Sequence, residues 1–196
     1  MADRVIPVFH AFTIKFTGRQ NRITTKVGIS KAFDPANPPT PPYGQYETTA
    51  LWDTGSTRSV VTSATVKAIS LEPVGSTIVN HAGGRGTSNT YLVNMFLPNH
   101  VAVVGVLVSE CANIAGNFGA IIGMDIIGQG DLSITNVDGY TCMSYRIPSI
   151  QAVDYVIEAN RIRFAGVGRN DPCPCGKKDS NGKSVKFKKC HGLTSL

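Results

Sequence analysis

The fold of this chain is decided by the segment Ala50-Leu51-Trp52-Asp53-Thr54-Gly55-Ser56-Thr57, which occupies residues 50–57. An apolar strand runs into Asp-Thr-Gly-Ser and then towards a predicted helix. An aspartate at a strand end, followed by a glycine that lets other groups approach, presents its carboxylate to a ligand. Ser56 is expected to donate a hydrogen bond to Asp53 and to favour its ionised form. Taken alone, so short a segment favours an Asx turn that caps the next helix.

A second segment, Ala120-Ile121-Ile122-Gly123-Met124-Asp125-Ile126-Ile127, follows roughly seventy residues later. It carries two apolar residues and a glycine before a polar turn into a helix. Together the two segments resemble the retropepsin-like aspartic proteases, the single-lobed relatives of pepsin. In that family, the strand that ends in Asp-Thr-Gly lies beside a later apolar-apolar-Gly segment. The resemblance covers roughly residues 8–147, and we interpret Asp125 as structural.

Residues 80–89 (NHAGGRGTSN) are rich in glycine and predict a loop at the tip of a hairpin. The resemblance implies a glycine-rich flap hairpin between the two segments, and this stretch matches it. It assigns catalysis to the acidic motif: Asp53, Thr54 and Gly55. It assigns substrate binding to the residue after the motif and to the flap glycines: Ser56, Gly83, Gly84 and Gly86.

The chain contains a single Asp-Thr-Gly, whereas pepsin-like enzymes carry two such aspartates. The resemblance therefore implies a homodimer in which each chain contributes Asp53 to one site on the two-fold axis. Two carboxylates ~3 Å apart repel by roughly 5 kcal/mol at an effective dielectric constant of ~20. One proton is therefore shared between them, so one group activates water while the other protonates the peptide carbonyl. No cofactor is expected for this chemistry, and the substrate would be a polypeptide.

The remaining pattern predicts an all-β body, a closed barrel or sandwich with one or two short helices. Predicted strands are Val8–Phe16, Ile23–Ile29, Thr48–Trp52, Tyr91–Leu97, His100–Val108, Leu132–Thr135 and Tyr140–Ile147. The last two are expected to form a hairpin through Asp138-Gly139. Predicted helices are Thr62–Ile69, with a hydroxyl residue available as its N-cap, and Ser149–Asn160. In the second, the apolar residues Ile150, Val153, Val156 and Ile157 fall on one face. Residues 34–46 contain five prolines and are predicted to form an exposed loop.

The C-terminal residues 166–196 differ from the body in charge and in cysteine content. They carry 7 Lys/Arg against 2 Asp/Glu, whereas residues 1–165 carry 12 against 11. Four potential metal ligands lie within nineteen positions: Cys173, Cys175, Cys190 and His191. Three thiolates and one imidazole make a closed tetrahedral set, which is typical of structural zinc. Zinc binding, of order 10 kcal/mol, would supply the folding energy that so short a segment cannot obtain from a core.

The same residues resemble the SEC-C motif, which is named after the C-terminus of a preprotein translocase. Its pattern Arg-Asn-Asp-Pro-Cys-x-Cys-Gly matches residues 169–176. Its second pattern, Lys-x-Cys-His-Gly, matches residues 188–192, with Lys189 as the variable residue. Between Cys175 and Cys190 this chain has 14 residues, where the motif usually has about eight. Lengthening a flexible loop by that ratio costs only ~0.5 kcal/mol, so Lys177–Val185 is expected to be a solvated bulge. By analogy, the module is expected to dock a protein partner. Its basic surface is equally compatible with binding to nucleic acid.

These observations predict three parts: a protease domain at 1–148, a helical linker at 149–165 and a zinc module at 166–196. The first hypothesis is a homodimeric aspartic endopeptidase with a recruitment module. The alternative is a catalytically inactive retropepsin-like dimer that serves as a zinc-dependent protein- or nucleic-acid-binding adaptor. The apolar runs are too short to span a bilayer, and no secretory signal precedes them, so we expect no membrane association and a cytoplasmic location.

Overall fold

The computed structural model describes residues 10–81 and 84–193. The chain divides into two compact units, with the boundary between Ile150 and Gln151. The first unit contains all the regular strands. The second contains one helix and the cysteine-rich segment. Gly83, which was predicted to contact substrate, lies outside the described residues.

The described part of the chain is mostly β-structure. Its ten strands are β1 His10–Lys15, β2 Ile23–Lys31, β3 Tyr46–Trp52, β4 Val60–Thr62, β5 Gly75–His81, β6 Gly84–Phe96, β7 Ala102–Cys111, β8 Ala120–Ile122, β9 Asp131–Thr135 and β10 Cys142–Ile147. Its helices are α1 Ser63–Ala68, α2 Met124–Ile127 and α3 Tyr155–Arg163. Short 3₁₀ turns occupy Pro98–His100, Val137–Gly139, Phe187–Lys189 and His191–Leu193. The predicted all-β class with few short helices is confirmed.

Six strands of the first unit form a closed barrel. The larger sheet has the order β2-β3-β8-β4-β7-β6-β5, and an additional β2–β6 pairing closes the ring. Because the ring is closed, its strands have no free edges, and every second side chain of each strand points into the barrel interior. The side chains that fill this interior are almost fully buried: Val27, Ile29, Val61, Val93, Met95, Val108, Ile122 and Ile126. The predicted closed barrel is therefore present, with β5 extending from it as the outer strand of a hairpin.

A second sheet of three strands has the order β1-β10-β9. Strands β9 and β10 form the predicted hairpin, with Cys142 opposite Thr135 and Arg146 opposite Asp131. In the connection, Asp138 and Gly139 both have positive φ, 52° and 80°, and Tyr140 N donates to Val137 O at 3.0 Å. This is the geometry of a type I′ turn, which Asp-Gly favours.

An aromatic cluster packs behind the acidic motif. The ring centroids of Trp52 and Tyr145 lie 5.0 Å apart, and Phe12 lies 6.0 Å from each. Trp52 Nε1 donates to Thr25 Oγ1 at 3.0 Å, and the Tyr145 hydroxyl donates to Ile126 O at 2.7 Å. Burial raises the pKa of Tyr145 to about 12. These bonds satisfy the polar atoms of two large buried rings and fix the end of β3.

The first predicted helix is confirmed and the second is displaced. In α1, Thr62 is the N-cap and its hydroxyl accepts from Thr65 N, as the sequence predicts. The predicted helix Ser149–Asn160 instead begins at Tyr155, because the Asp154 carboxylate caps it by accepting from Val156 N and Ile157 N. The apolar side chains that motivated the earlier start remain exposed: Ile150, Val153 and Val156. Helical periodicity was misleading there because no core receives that face.

Three strands were missed from the sequence: β4, β5 and β8. Two of them are only three residues long, too short to show an alternating pattern. The third belongs to the flap, where the predicted loop at 80–89 is largely strand. The proline-rich segment forms the connection between β2 and β3 and is mostly exposed, as predicted.

No helix among the described residues has the length and apolarity needed to span a membrane.

Asp131 clamps the end of the first unit. Its carboxylate accepts hydrogen bonds from Arg146 Nε at 2.6 Å, from Ile150 N at 3.1 Å and from the Ser149 hydroxyl. The hydrogen bond from Ser149, and then those from Ile150 and Arg146, lower the pKa of Asp131 to about 2. An ordinary aspartate in an unfolded chain has a pKa of about 3.9. The ionised form is therefore favoured by the folded state.

Asp131→Asn is expected to lower the free energy of unfolding at neutral pH. It should also make that free energy depend less on pH in the acidic range. Because the folded pKa is depressed, the carboxylate's contribution is complete above about pH 4 and is lost as the pH falls towards about 2. Chemical denaturation between pH 2 and pH 7 measures this. If the free energy of unfolding of the variant falls between pH 4 and pH 2 as steeply as that of wild type, Asp131 is not the group responsible.

Candidate functional site

Strand pairing brings the two sequence motifs side by side. Strand β3 runs parallel to β8, with Ala50 opposite Ala120 and Trp52 opposite Ile122. The pairing continues past the strand end, where Asp53 N donates to Ile122 O at 3.0 Å. Asp53 is therefore held at the point where the Ile-Ile-Gly segment ends, as the resemblance led us to expect.

The Asp53 carboxylate is oriented by its own turn. Gly55 N donates to Asp53 Oδ1 at 2.9 Å, and Ser56 N donates to Asp53 O at 3.2 Å. This is an Asx turn, but it does not cap α1, which begins later at Ser63. The hydrogen bond predicted from the Ser56 hydroxyl to Asp53 is wrong. That hydroxyl donates to Arg58 O at 2.6 Å, an acceptor two residues away.

Ser59 and Asp125 join the acidic turn to the second motif. Ser59 is fully buried, and its N and Oγ donate to the two oxygens of Asp125 at 2.9 and 2.8 Å. Ser59 Oγ also accepts from Gly123 N at 3.1 Å. A side chain at Gly123 would place its Cβ 2.6 Å from the Arg58 carbonyl group, so only glycine fits. The structural interpretation of Asp125 agrees with these bonds, whereas the sequence offered no signal for Ser59.

A cleft of about 810 Å³ opens beside this turn. The acidic turn contributes Asp53, Gly55 and Ser56 to its wall, and the flap contributes Gly86 and neighbouring residues. The cleft thus brings together four of the predicted site residues. Of the other described site residues in this unit, Thr54 and Gly84 are exposed and are not among those that line the cleft.

The flap is a regular hairpin of β5 and β6. Its pairing runs from Gly75 opposite Thr90 to His81 opposite Gly84. Gly86 lies opposite Val79, and both residues line the cleft. The glycines suggested a long loop, but the Thr and Ser residues among them pair well in a ladder, so the strands extend almost to the tip.

Glu110, at the end of β7, is a second acid in the cleft wall that sequence reasoning missed. Its Oε1 accepts from Ser63 Oγ and its Oε2 from the Tyr91 hydroxyl, each at 2.6 Å. The hydrogen bond from Ser63, followed by that from Tyr91, lowers the pKa of Glu110. Burial, and then the bond to Glu110, raises the pKa of Tyr91. Glu110 is therefore ionised in this position.

The second unit gathers the four predicted metal ligands. The ligand atoms of Cys173, Cys175, Cys190 and His191 all lie within 4.8 Å of one another. The Cys175 and Cys190 sulfurs are 3.6 Å apart, and His191 Nδ1 lies 3.3 Å from Cys173 Sγ and 3.4 Å from Cys190 Sγ. Metal–ligand bonds of about 2.3 Å to sulfur and 2.0 Å to nitrogen place tetrahedral ligands roughly 3.5–3.8 Å apart. The cluster can hold a metal ion and fits zinc.

Local backbone turns build this cluster despite the longer insertion. Cys173 N donates to Val185 O at 2.8 Å, and Cys190 N donates to Phe187 O at 2.9 Å. The residues between 177 and 184 are exposed and turn around Asp179, which accepts from Asn181 N and Lys183 N. The expected solvated bulge is present and leaves the ligands together.

A small aromatic core supports the ligands from one side. Phe164 is buried, and its ring centroid lies 5.4 Å from that of Phe187 and 4.8 Å from the His191 ring. Gly192 approaches Phe187 so closely that a Cβ would lie 2.9 Å from its ring. These contacts fix the orientation of the His191 ring within the cluster.

Comparisons with known proteins give similarities of structure. No family model matches the chain. A retropepsin-like aspartic protease from Rickettsia conorii is similar with a TM-score of 0.44 and 7% identity, over 71% of this chain and 96% of that one. The EIAV protease complexed with the inhibitor HBY-793 is similar at 0.41 and 20% identity, over 56% and 88%. The simian foamy virus (mac) protease is similar at 0.36 and 12% identity, over 54% and 92%.

Ser59→Ala is expected to lower the free energy of unfolding of the first unit by about 1–3 kcal/mol. The change removes the hydroxyl that bonds Asp125 and leaves the buried Gly123 N–H without its acceptor. Urea denaturation followed by tryptophan fluorescence reports on Trp52, the only tryptophan. The exposed Ser133→Ala is the matched control and should change stability by less than about 0.5 kcal/mol. Equal effects of the two changes would show that the Ser59 bonds to Asp125 and Gly123 do not stabilise the unit.

Purified protein is expected to contain about one zinc per chain, and Cys190→Ser to lose it, because three ligands no longer complete the tetrahedron. Elemental analysis measures the stoichiometry, and Trp52 fluorescence shows whether the barrel remains folded. Cys142→Ser, a cysteine of β10 outside the cluster, is the control and should retain the metal. Zinc retained by the Cys190 variant would mean that the ligand set is different.

Proposed function

We propose that this chain is an aspartic endopeptidase that acts as a homodimer, with Asp53 supplied by each chain. The observation that carries the proposal is the position of Asp53 in the wall of a cleft of about 810 Å³, opposite a hairpin. Gly86 on the hairpin leaves room for a substrate backbone to approach, since nothing lies within 4 Å of the position of its missing Cβ.

The chemistry follows from two carboxylates that share one proton. The ionised Asp53 takes a proton from a water molecule, and the protonated Asp53 of the second copy donates to the peptide carbonyl. The bond from Gly55 N holds each carboxylate in a defined orientation, which reduces reorganisation during the reaction. Thr54 and Gly55 serve as backbone of the turn, and Ser56 and Gly86 lie where substrate would contact them.

A partner copy is needed because the cleft of one chain offers no suitable second acid. Glu110 is the other carboxylate in the wall, but hydrogen bonds from Ser63 and Tyr91 occupy both of its oxygens and lower its pKa. A carboxylate whose ionised form is stabilised in this way is poorly suited to donate a proton. We therefore place the second catalytic carboxylate on a second copy of the chain.

The C-terminal module is proposed to be a SEC-C-type zinc module that recruits a protein partner, with nucleic acid as the alternative ligand. The proposed division is a protease domain at 1–148, a helical linker at 149–165 and the module at 166–196, with action in the cytoplasm. The excess of lysine over acidic residues in the module favours an acidic partner surface. Under the alternative function, an inactive adaptor, the module would be the working part and Asp53 would be dispensable.

Asp53→Asn is expected to abolish cleavage of an unfolded polypeptide, such as reduced casein, at acidic to neutral pH. The amide cannot take a proton from water, whereas the isosteric side chain still accepts from Gly55 N. Product formation followed by mass spectrometry measures activity, and analytical ultracentrifugation checks that the dimer persists. Asp138→Asn, in the exposed β9–β10 turn, is the control and should retain activity. Undiminished cleavage by the Asp53 variant, or a monomer at every concentration, would refute the proposal.

A further inference from the structure

Glu110 occupies a position in the cleft that the proposed catalytic chemistry does not use. It stands at the end of β7, and its neighbours Ser109 and Cys111 line the same cleft. Ser88 Oγ, on the flap strand β6, donates to Glu110 O at 2.6 Å and accepts from Glu110 N at 3.0 Å. The backbone of Glu110 is thus tied to the flap, while its side chain is tied to Ser63 and Tyr91.

The Glu110 carboxylate retains capacity to bind a ligand. A carboxylate offers about four acceptor sites, and here Ser63 occupies one on Oε1 and Tyr91 one on Oε2. Asn89 adds a third hydrogen bond, which also lowers the pKa of Glu110. The side chain is half-buried, so its charge is only partly screened by solvent.

Charge in the cleft is of one sign. Among the residues that the structure describes, the charged ones that line it are Asp53 and Glu110, and the remaining lining residues are neutral. Lys67, an exposed residue of α1, acts on Glu110 through space and weakly favours its ionised form, but it is not part of the cleft wall. A cleft with two acids and no base attracts positive charge.

We propose that Glu110 determines specificity by pairing with a lysine or arginine side chain of the bound polypeptide. An ammonium or guanidinium group would donate a charge-assisted hydrogen bond to the remaining acceptor site of the carboxylate. Neutral residues in the same wall, among them Val79 and Ile114, would contact the aliphatic stem of that side chain. The bonds from Ser63 and Tyr91 hold the carboxylate in place before substrate arrives, which lowers the entropic cost of the pairing.

This inference rests on the proposed protease function only for its kinetic test, because the binding preference can be measured without cleavage. The competing explanation is structural: Glu110 could simply brace the flap strand against α1. A brace would affect all peptides alike. A specificity residue would change the ratio between basic and neutral peptides.

The test compares wild type with Glu110→Gln on positional-scanning peptide pools in which one position is fixed as lysine, arginine or norleucine. For wild type, kcat/KM is expected to be about tenfold higher with the basic residue at one position. Glu110→Gln keeps the side-chain shape and should bring this ratio to about one while changing norleucine pools little. Glu72→Gln, at an exposed site outside the cleft, is the matched control and should keep the wild-type ratio.

The same pools are then bound to Asp53→Asn and to the double variant Asp53→Asn/Glu110→Gln by fluorescence anisotropy. Tighter binding of lysine pools that disappears with Glu110→Gln supports the inference even if wild type cleaves nothing, in which case the protease proposal alone fails. A uniform loss across all pools would show a brace and overturn the inference. A wild-type preference for neutral residues, or no preference in either assay, would overturn it as well.

Discussion

The parallel pairing of β3 with β8 is the constraint on which the rest of the first unit depends. These strands are far apart in sequence, and a short ladder joins them, extended by bonds from Gly119 N to Thr49 O and from Asp53 N to Ile122 O. Met124 N also donates to Ser56 O at 2.8 Å and ties the acidic turn to the second motif. Ser59 reinforces this connection, because its buried hydroxyl and amide bind Asp125 and Gly123. The position of the Asp53 carboxylate is therefore a property of the closed barrel and not of the turn alone.

The two acidic residues of the cleft, Asp53 and Glu110, differ in the hydrogen bonds that surround their carboxylates. Asp53 accepts a hydrogen bond from its own turn and lies in the cleft wall. Glu110 is fixed by hydroxyl donors from α1 and β6, which stabilise its charge. This difference fits the roles proposed for them, proton transfer within a pair of Asp53 carboxylates and electrostatic recognition by Glu110. The flap strand β6 is tied to Glu110, since Ser88 and Tyr91 lie on it and both contact that residue.

The second unit obtains its structure in a different way from the barrel. Its hydrophobic core is little more than Phe164, Phe187 and the His191 ring. Such a core cannot fold about forty residues by itself, so a metal bound at Cys173, Cys175, Cys190 and His191 would contribute most of the stability. The insertion between the cysteines is tolerated because it bulges into solvent and closes on its own backbone bonds. The module can therefore vary in length without moving its ligands.

The all-β class, the α1 cap at Thr62, the Asp138-Gly139 hairpin and the two motif segments follow from the sequence, because each depends on local geometry or on residue types close in the chain. The four residues of the Cys/His cluster were also predicted, since ligand chemistry is visible as residue type and spacing. Three contacts required the folded chain: Ser59 is buried against Asp125, Ser56 bonds Arg58, and Glu110 shares a cleft with Asp53. Those contacts join strands far apart in sequence, and no local pattern encodes which partner a serine or glutamate will meet. For the same reason, the helix expected at Ser149 failed: its apolar spacing was real, but no core lay opposite to bury it.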